Sequence, residues 1–170
     1  MKDSIKSIVV LLVICLVASA VLAAVNSFTS PLIEKSENEK VRKSLLVVMP
    51  EGKNFKELDS LPEVVAETVK QIYTEDGGGY VMKLVTTGYS AGLTIMCGIN
   101  SDGKITGATC VSSGETLGNE KTYGELFLGA DKTDIDGIDS VSGATKTTSN
   151  YKKALKDALS AFDILKGAAE

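Results

Sequence analysis

The chain contains no histidine and no tryptophan among its 170 residues, and only three prolines and three cysteines. Without imidazole there is no Ser-His or Cys-His nucleophile pair, no histidine general base, and none of the common histidine-bearing zinc or haem ligand sets. Cys15, Cys97 and Cys110 are too few and too scattered for a metal knuckle or a disulfide scaffold. An excess of positive charge is missing as well: 18 Lys plus Arg stand against 22 Asp plus Glu, with a net charge of -4 and a pI near 5.0, which argues against a nucleic-acid partner. What is present is 44% hydrophobic residues, too many for a disordered tail and enough for one modest domain.

Those residues are unevenly spread. Ile8 to Val25 (IVVLLVICLVASAVLAAV) carries no charge. As a helix it spans about 27 Å at 1.5 Å per residue, close to the hydrocarbon core of a bilayer, so it reads as a membrane segment. Lys2 and Lys6 ahead of the small residues Ala18-Ser19-Ala20 or Ala23-Ala24 offer a cleavable signal peptide as the rival reading, but the apolar run continues past the first of these sites. A lipid-modified Cys15 fits poorly between bulky Ile14 and the apolar residues that follow. Residues 26–33 are uncharged, and the later Lys35, Lys40, Arg42 and Lys43 are interleaved with Glu34, Glu37 and Glu39. Residues 1–7 are therefore expected in the cytoplasm and the rest on the outer side. This divides the chain into a cytoplasmic stretch 1–7, a membrane helix 8–25, a helical stalk 26–50 and an extracytoplasmic domain 51–170.

In the stalk, Ser36-Glu37-Asn38-Glu39 reads as a capping box opening a helix whose apolar positions Val41, Leu45 and Val48 run until Pro50. A second helix is expected near Ser60 and Pro62, with Val64, Val65, Val69 and Ile72 inward. Asp76 to Gly79 is a turn, and Tyr80 to Thr86 alternates in strand fashion. Leu93 to Cys97 and Ile105 to Val111 read as antiparallel strands about a turn at 101–104. Cys97 and Cys110 fall on these neighbours and are read as buried free thiols, with a disulfide as the alternative. Met49, Met82 and Met96 read as core, as do Tyr89, Tyr123 and Phe127 in preference to ring contacts with a ligand. A last helix is expected from about Thr148 to Lys166, with Gly167 as its C-cap and an apolar face from Tyr151 through Leu155, Leu159 and Phe162 to Leu165. The fold class is α+β, an antiparallel sheet with helices.

The segment leading into that helix, Asp139 to Thr148, carries the chemistry. Small residues at a helix N-terminus leave backbone N–H groups unpaired and let an anionic phosphate approach, and Lys146 adds positive charge. The bland alternative is that hydroxyls cap a helix and Gly143 makes a turn. Asp139-x-x-Ser142-Gly143-Ala144-Thr145 resembles the covalent flavinylation motif of the FMN-binding domain family. The N-terminal apolar helix, the Asn26-x-x-Thr29-x-Pro31-x-Ile33 segment after it, the glycine-rich strand pair and the closing helix are similar to that family too. The short length resembles the G subunits of Rnf-type electron-transport complexes more than the C subunits of sodium-pumping NADH:quinone reductases.

The resemblance implies FMN joined by a separate flavin transferase to the Thr145 hydroxyl as a phosphoester. It also implies that Ser142, Gly143 and Ala144 shape the acceptor turn, that Asp139 serves transferase recognition, and that Thr147 and Thr148 lie near the flavin phosphate. Glu115-Thr116-Leu117-Gly118 stands where the family has a loop bordering the isoalloxazine ring, here abbreviated and without the family's Pro-Gly pair; a surface turn is the alternative. The implied role is that of an electron-carrying subunit, without independent catalysis, in a complex coupling ferredoxin:NAD electron transfer to Na⁺ or H⁺ movement. Its partners would be the other membrane and peripheral subunits. An anchored FMN-binding sensor module, or a flavin-free interaction domain, are the competing readings.

Overall fold

The computed structural model describes the backbone of residues 2–62 and 64–169, and the side chains of these except at 2–5, 7, 24, 27, 28, 30–38 and 169. Strands β1 (Lys56–Glu57), β2 (Val69–Thr74), β3 (Tyr80–Thr86), β4 (Leu93–Ile99) and β5 (Ile105–Ser112) lie in chain order in one antiparallel sheet. Its turns are built where they are expected. Gly78 takes φ +83 between β2 and β3, a conformation open to glycine at little cost. The Asn100 side-chain oxygen accepts the N–H groups of Asp102 and Lys104 at 3.1 and 2.9 Å, closing the turn between β4 and β5.

The helix expected near Ser60 and Pro62 is not formed: the described part of that stretch is turn and β2. A β-bulge explains the misreading. Val69 pairs with Leu84 and Gln71 with Lys83, so Lys70 is an extra residue, and Val69 and Ile72 reach the same face although three positions apart. A spacing of three is what a helical face shows. Of the four residues expected inward, Val65, Val69 and Ile72 pack in or on the core and Val64 is exposed.

One face of the sheet, carrying Met82, Leu84, Ile95 and Cys97, packs against helix α2 (Thr145–Ala169). Tyr151, Ala154, Leu155, Ala158, Leu159, Phe162 and Leu165 are all buried there, and each large apolar side chain so buried contributes about 2 kcal/mol. The helix starts three residues before the expected Thr148 and runs through Gly167, which is therefore not its C-cap. Tyr123 and Phe127 belong to this core: with Tyr151 they form edge-on ring pairs at 5.1 and 5.5 Å between centroids. They lie on a 3-10 helix, Tyr123–Phe127, beside β5. There the Ile105 N–H donates to the Ala130 carbonyl at 2.9 Å and the Gly129 N–H to the Ile105 carbonyl at 2.8 Å.

On the opposite face the register places Tyr73, Val81, Gly98 and Gly107 in one row across four strands. Val48 sits over the two glycines, where a Cβ on Gly98 would lie 2.6 Å from the Val48 carbonyl oxygen and one on Gly107 would lie 2.9 Å from its Cα. Thr106 Oγ1 donates to that carbonyl at 2.6 Å. Leu45, Val48, Met49, Val81 and Met96 are buried as a result. Cys97 is opposite Ala108 and Cys110 opposite Ile95, and both thiols are free.

Val48 ends helix α1 (Lys2–Val48). The backbone is helical through Pro31 and Ser36, so Ser36 does not begin a helix; the side chains of the expected capping box at 36–38 lie outside the described ones. Contacts divide the described chain into a unit ending at Val41 and one beginning at Arg42. In the first, Ile8 to Leu22 present exposed aliphatic side chains. Among the described residues no helix is long and apolar enough to cross a membrane.

Candidate functional site

Three segments far apart in sequence meet at the N-terminus of α2: the loop from Thr87 to Gly92 between β3 and β4, the loop after β5 from Ser113 to Gly118, and the turn from Val141 to Ala144. The turn is set by Gly143, which takes φ +81 with nothing within 4 Å of a built Cβ. The Ala144 N–H donates to the Val141 carbonyl at 3.0 Å. Beneath it, the buried Thr148 hydroxyl donates to the Ala144 carbonyl at 3.0 Å and accepts the Val141 N–H at 3.3 Å. Thr148 is thus used inside the turn and does not line the cleft. Ser142 is exposed on the turn, away from the cleft lining. Asp139 is also exposed; its backbone carbonyl accepts the Tyr123 hydroxyl at 3.0 Å.

Glu115 ties the other two loops to the helix. One carboxylate oxygen accepts the Ser90 N–H at 2.9 Å, and the other accepts the Thr147 hydroxyl at 2.5 Å. Thr147 Oγ1 accepts in turn the Tyr89 N–H at 3.3 Å. The Thr147 hydroxyl, then the Ser90 N–H, favour the ionised form and hold the Glu115 carboxyl below its ordinary value. Further along, the Asn150 amide donates to the Thr87 carbonyl at 2.5 Å. Gly88 leaves room for this arrangement, because a Cβ would run into the Glu115 carboxylate and push it from its partners.

These contacts frame a cleft of about 320 Å³, at the small end of ligand-sized cavities. Of the residues expected at the site, Glu115, Thr116, Leu117, Gly143, Ala144 and Thr147 line it. Gly118 does not; its φ of +73 caps the 3-10 helix Asn119–Lys121. Thr145 is the first residue of α2, exposed, between the lining residues Ala144 and Lys146. By helix geometry the N–H groups of the first turn have no intrahelical partner, so the Thr145 hydroxyl, these N–H donors and Lys146 all belong to the first turn of α2. Tyr89 is not core: its ring is 80% exposed and lines the cleft. Asn119 and Glu120 line it as well, and Glu120, only 2% exposed, accepts the Ser113 hydroxyl at 2.7 Å. Neither stands out in the sequence, where an Asn-Glu pair after a glycine looks like any surface turn.

The helix start offers N–H donors and Lys146 to an anionic group, and Tyr89, Leu117 and Ala144 offer apolar surface in the same cleft. Residues 88–160 match the FMN-binding domain family. The matched stretch begins at the glycine under Glu115 and ends within α2, so it contains every residue that lines the cleft. Over longer spans the chain is 27% identical, across 164 residues, to the G subunit of the Na⁺-translocating ferredoxin:NAD⁺ oxidoreductase complex of Acetobacterium woodii; the match covers 86% of this chain and 78% of that protein. It is 22% identical across 167 residues to the G subunit of the proton-translocating ferredoxin:NAD⁺ oxidoreductase complex of Clostridium ljungdahlii, covering 88% of this chain and 86% of that one. Resemblance to G subunits therefore extends well beyond the domain itself.

Proposed function

We propose that the protein is the FMN-carrying electron-transfer subunit of an Rnf-type ferredoxin:NAD oxidoreductase complex, with FMN esterified through its phosphate to Thr145. The observation that carries this reading is the exposed Thr145 hydroxyl at the first position of α2, beside a cleft that the FMN-binding domain match spans from end to end. FMN, when bound, supplies reversible one- and two-electron transfer. The chain's own part is to hold it. Gly143 keeps the acceptor turn open, the first-turn N–H groups and Lys146 offset phosphate charge, and Glu115 fixes the two loops that border the ring.

A phosphoester at Thr145 requires a flavin transferase: the Thr145 oxygen displaces a nucleoside monophosphate from the pyrophosphate of a flavin dinucleotide donor, losing its proton, and Asp139 and the exposed Ser142 present the acceptor turn. Covalent retention suits a domain outside the cytoplasm, where lost flavin is not replaced. The full Ile8 to Val25 sequence is proposed as the single-pass anchor in the cell membrane, N-terminus inside, bringing the domain beside the other membrane and peripheral subunits. The complexes of the two relatives move different ions, so the proposal covers electron transfer coupled to either Na⁺ or H⁺ movement.

In-gel flavin fluorescence tests attachment. Protein made with an active transferase should give a fluorescent band after denaturation, and Thr145→Ala should give none. A dark native band, with the transferase active on another acceptor, refutes the covalent reading.

A further inference from the structure

Among the described residues Tyr89 is the one large aromatic left in the open. Tyr80 pairs with Phe162, and Tyr123, Phe127 and Tyr151 pair with one another, while Tyr89 has no ring partner. Its backbone is nevertheless held on both sides by hydrogen bonds. The Tyr89 N–H donates to Thr147, the Ser90 N–H to Glu115, and the Gly88 N–H to the Ser90 carbonyl at 2.9 Å. Gly88 is packed so closely on the Glu115 carboxylate that a Cβ there would displace it. A mobile exposed tyrosine would need no explanation, but a ring on a backbone fixed this firmly, at the lip of a cleft, is positioned for a contact.

The position is also chemically defined. Thr147, which holds the Tyr89 N–H, lies in the first turn of α2 with Thr145, and Tyr89 lines the same cleft as Ala144 and Lys146, the residues on either side of Thr145. We infer that Tyr89 is the stacking plate of the site: its ring face lies against the flat conjugated ring system of the ligand attached at Thr145, while Leu117 provides apolar wall from the second loop. This rests on the FMN reading above and adds what selects the ligand. Helix N–H groups and Lys146 accept any phosphate ester, whereas an aromatic face on a fixed backbone favours a planar ring and shields one side of it from water.

The test uses the full-length protein made with its transferase, comparing the native chain, Tyr89→Phe and Tyr89→Ala at equal flavin, fixed by absorbance after unfolding. A phenol stacked on an excited flavin quenches its emission by donating an electron, and a phenyl ring does so far less. Folded native protein should therefore be dim, and both variants should brighten several-fold. Visible circular dichroism of the flavin, which reports how firmly the ring is held, should persist in Tyr89→Phe and fall in Tyr89→Ala. Unchanged emission and dichroism in Tyr89→Ala overturn the inference, and so does a Phe variant that loses dichroism as fully as Ala, since the hydroxyl and not the ring face would then be the contact. A native band without flavin after denaturation overturns both this inference and the FMN reading; equal flavin bands in all three proteins with unaltered emission overturn this one alone.

Discussion

Replacing Thr147 by valine removes one hydroxyl and keeps the buried γ-methyl group, so it isolates the bonds that join Glu115, Tyr89 and α2. Thr147 is 3% exposed; the loss is one bond to a partly exposed carboxylate and one from a backbone N–H. At about 0.5–1.5 kcal/mol for each, and with the ionic bond discounted for solvent screening, the expected destabilisation is about 1–2 kcal/mol. In a chain of this size that lowers the melting temperature by about 2–8 °C. The pH dependence distinguishes this cause from general damage. The folded Glu115 carboxyl lies below its ordinary value of 4.5, so its contribution is fully present above that value and is lost as pH falls through the folded one. Thermal melts of detergent-solubilised native and Thr147→Val protein should thus differ most near neutrality and converge in acid. An equal gap at every pH, or no gap at neutrality, would refute the role assigned to this hydroxyl. So would a double-mutant cycle with Glu115→Ala that shows no coupling.

Gly98→Ala and Gly107→Ala each drive a methyl group into the Val48 backbone and should cost about 1–3 kcal/mol in thermal melts. Gly92→Ala, with φ +83 but no atom within 4 Å, should cost only about 1 kcal/mol of backbone strain; equal losses at all three sites would dismiss the packing explanation. The Tyr151 hydroxyl is buried without a hydrogen-bond partner among the described residues, so Tyr151→Phe should raise the melting temperature, and a fall would reveal a bond that hydroxyl makes. Burial pushes the Cys97 thiol up to about 12, so iodoacetamide at neutral pH should leave it unmodified until the chain unfolds, as read by mass spectrometry.

The parts of the fold visible in the sequence are those whose pattern is local. β3, the turn at 101–104 and the buried face of α2 follow from alternation, turn residues and helical spacing within a few positions of each other. β2 reads as a helix because its bulge converts a two-residue period into a three-residue one. Ser36 looks like a cap because a capping box is a four-residue pattern, whereas the helix around it forms cooperatively over many turns. At the site, the turn around Gly143 is legible from its small residues. Tyr89 is not, since exposure of an aromatic depends on what the other loops cover. Thr147 and Thr148 are neighbours of the same type, and only the fold assigns one to Glu115 and the other to the turn beneath Ala144.

The sheet ends on two very different strands. β1 is only two residues long, while β5 would offer eight residues of free main chain were it not flanked by the Tyr123–Phe127 helix and by Gly129 and Ala130. Gly124 approaches the Ala108 carbonyl so closely that any Cβ there would collide with it. A foreign strand therefore has no long row of open amides on which to add itself, which removes a common route to aggregation. A partner must then recognise the domain through its side chains, which can be tuned one at a time, and not through a backbone edge that any extended peptide could join.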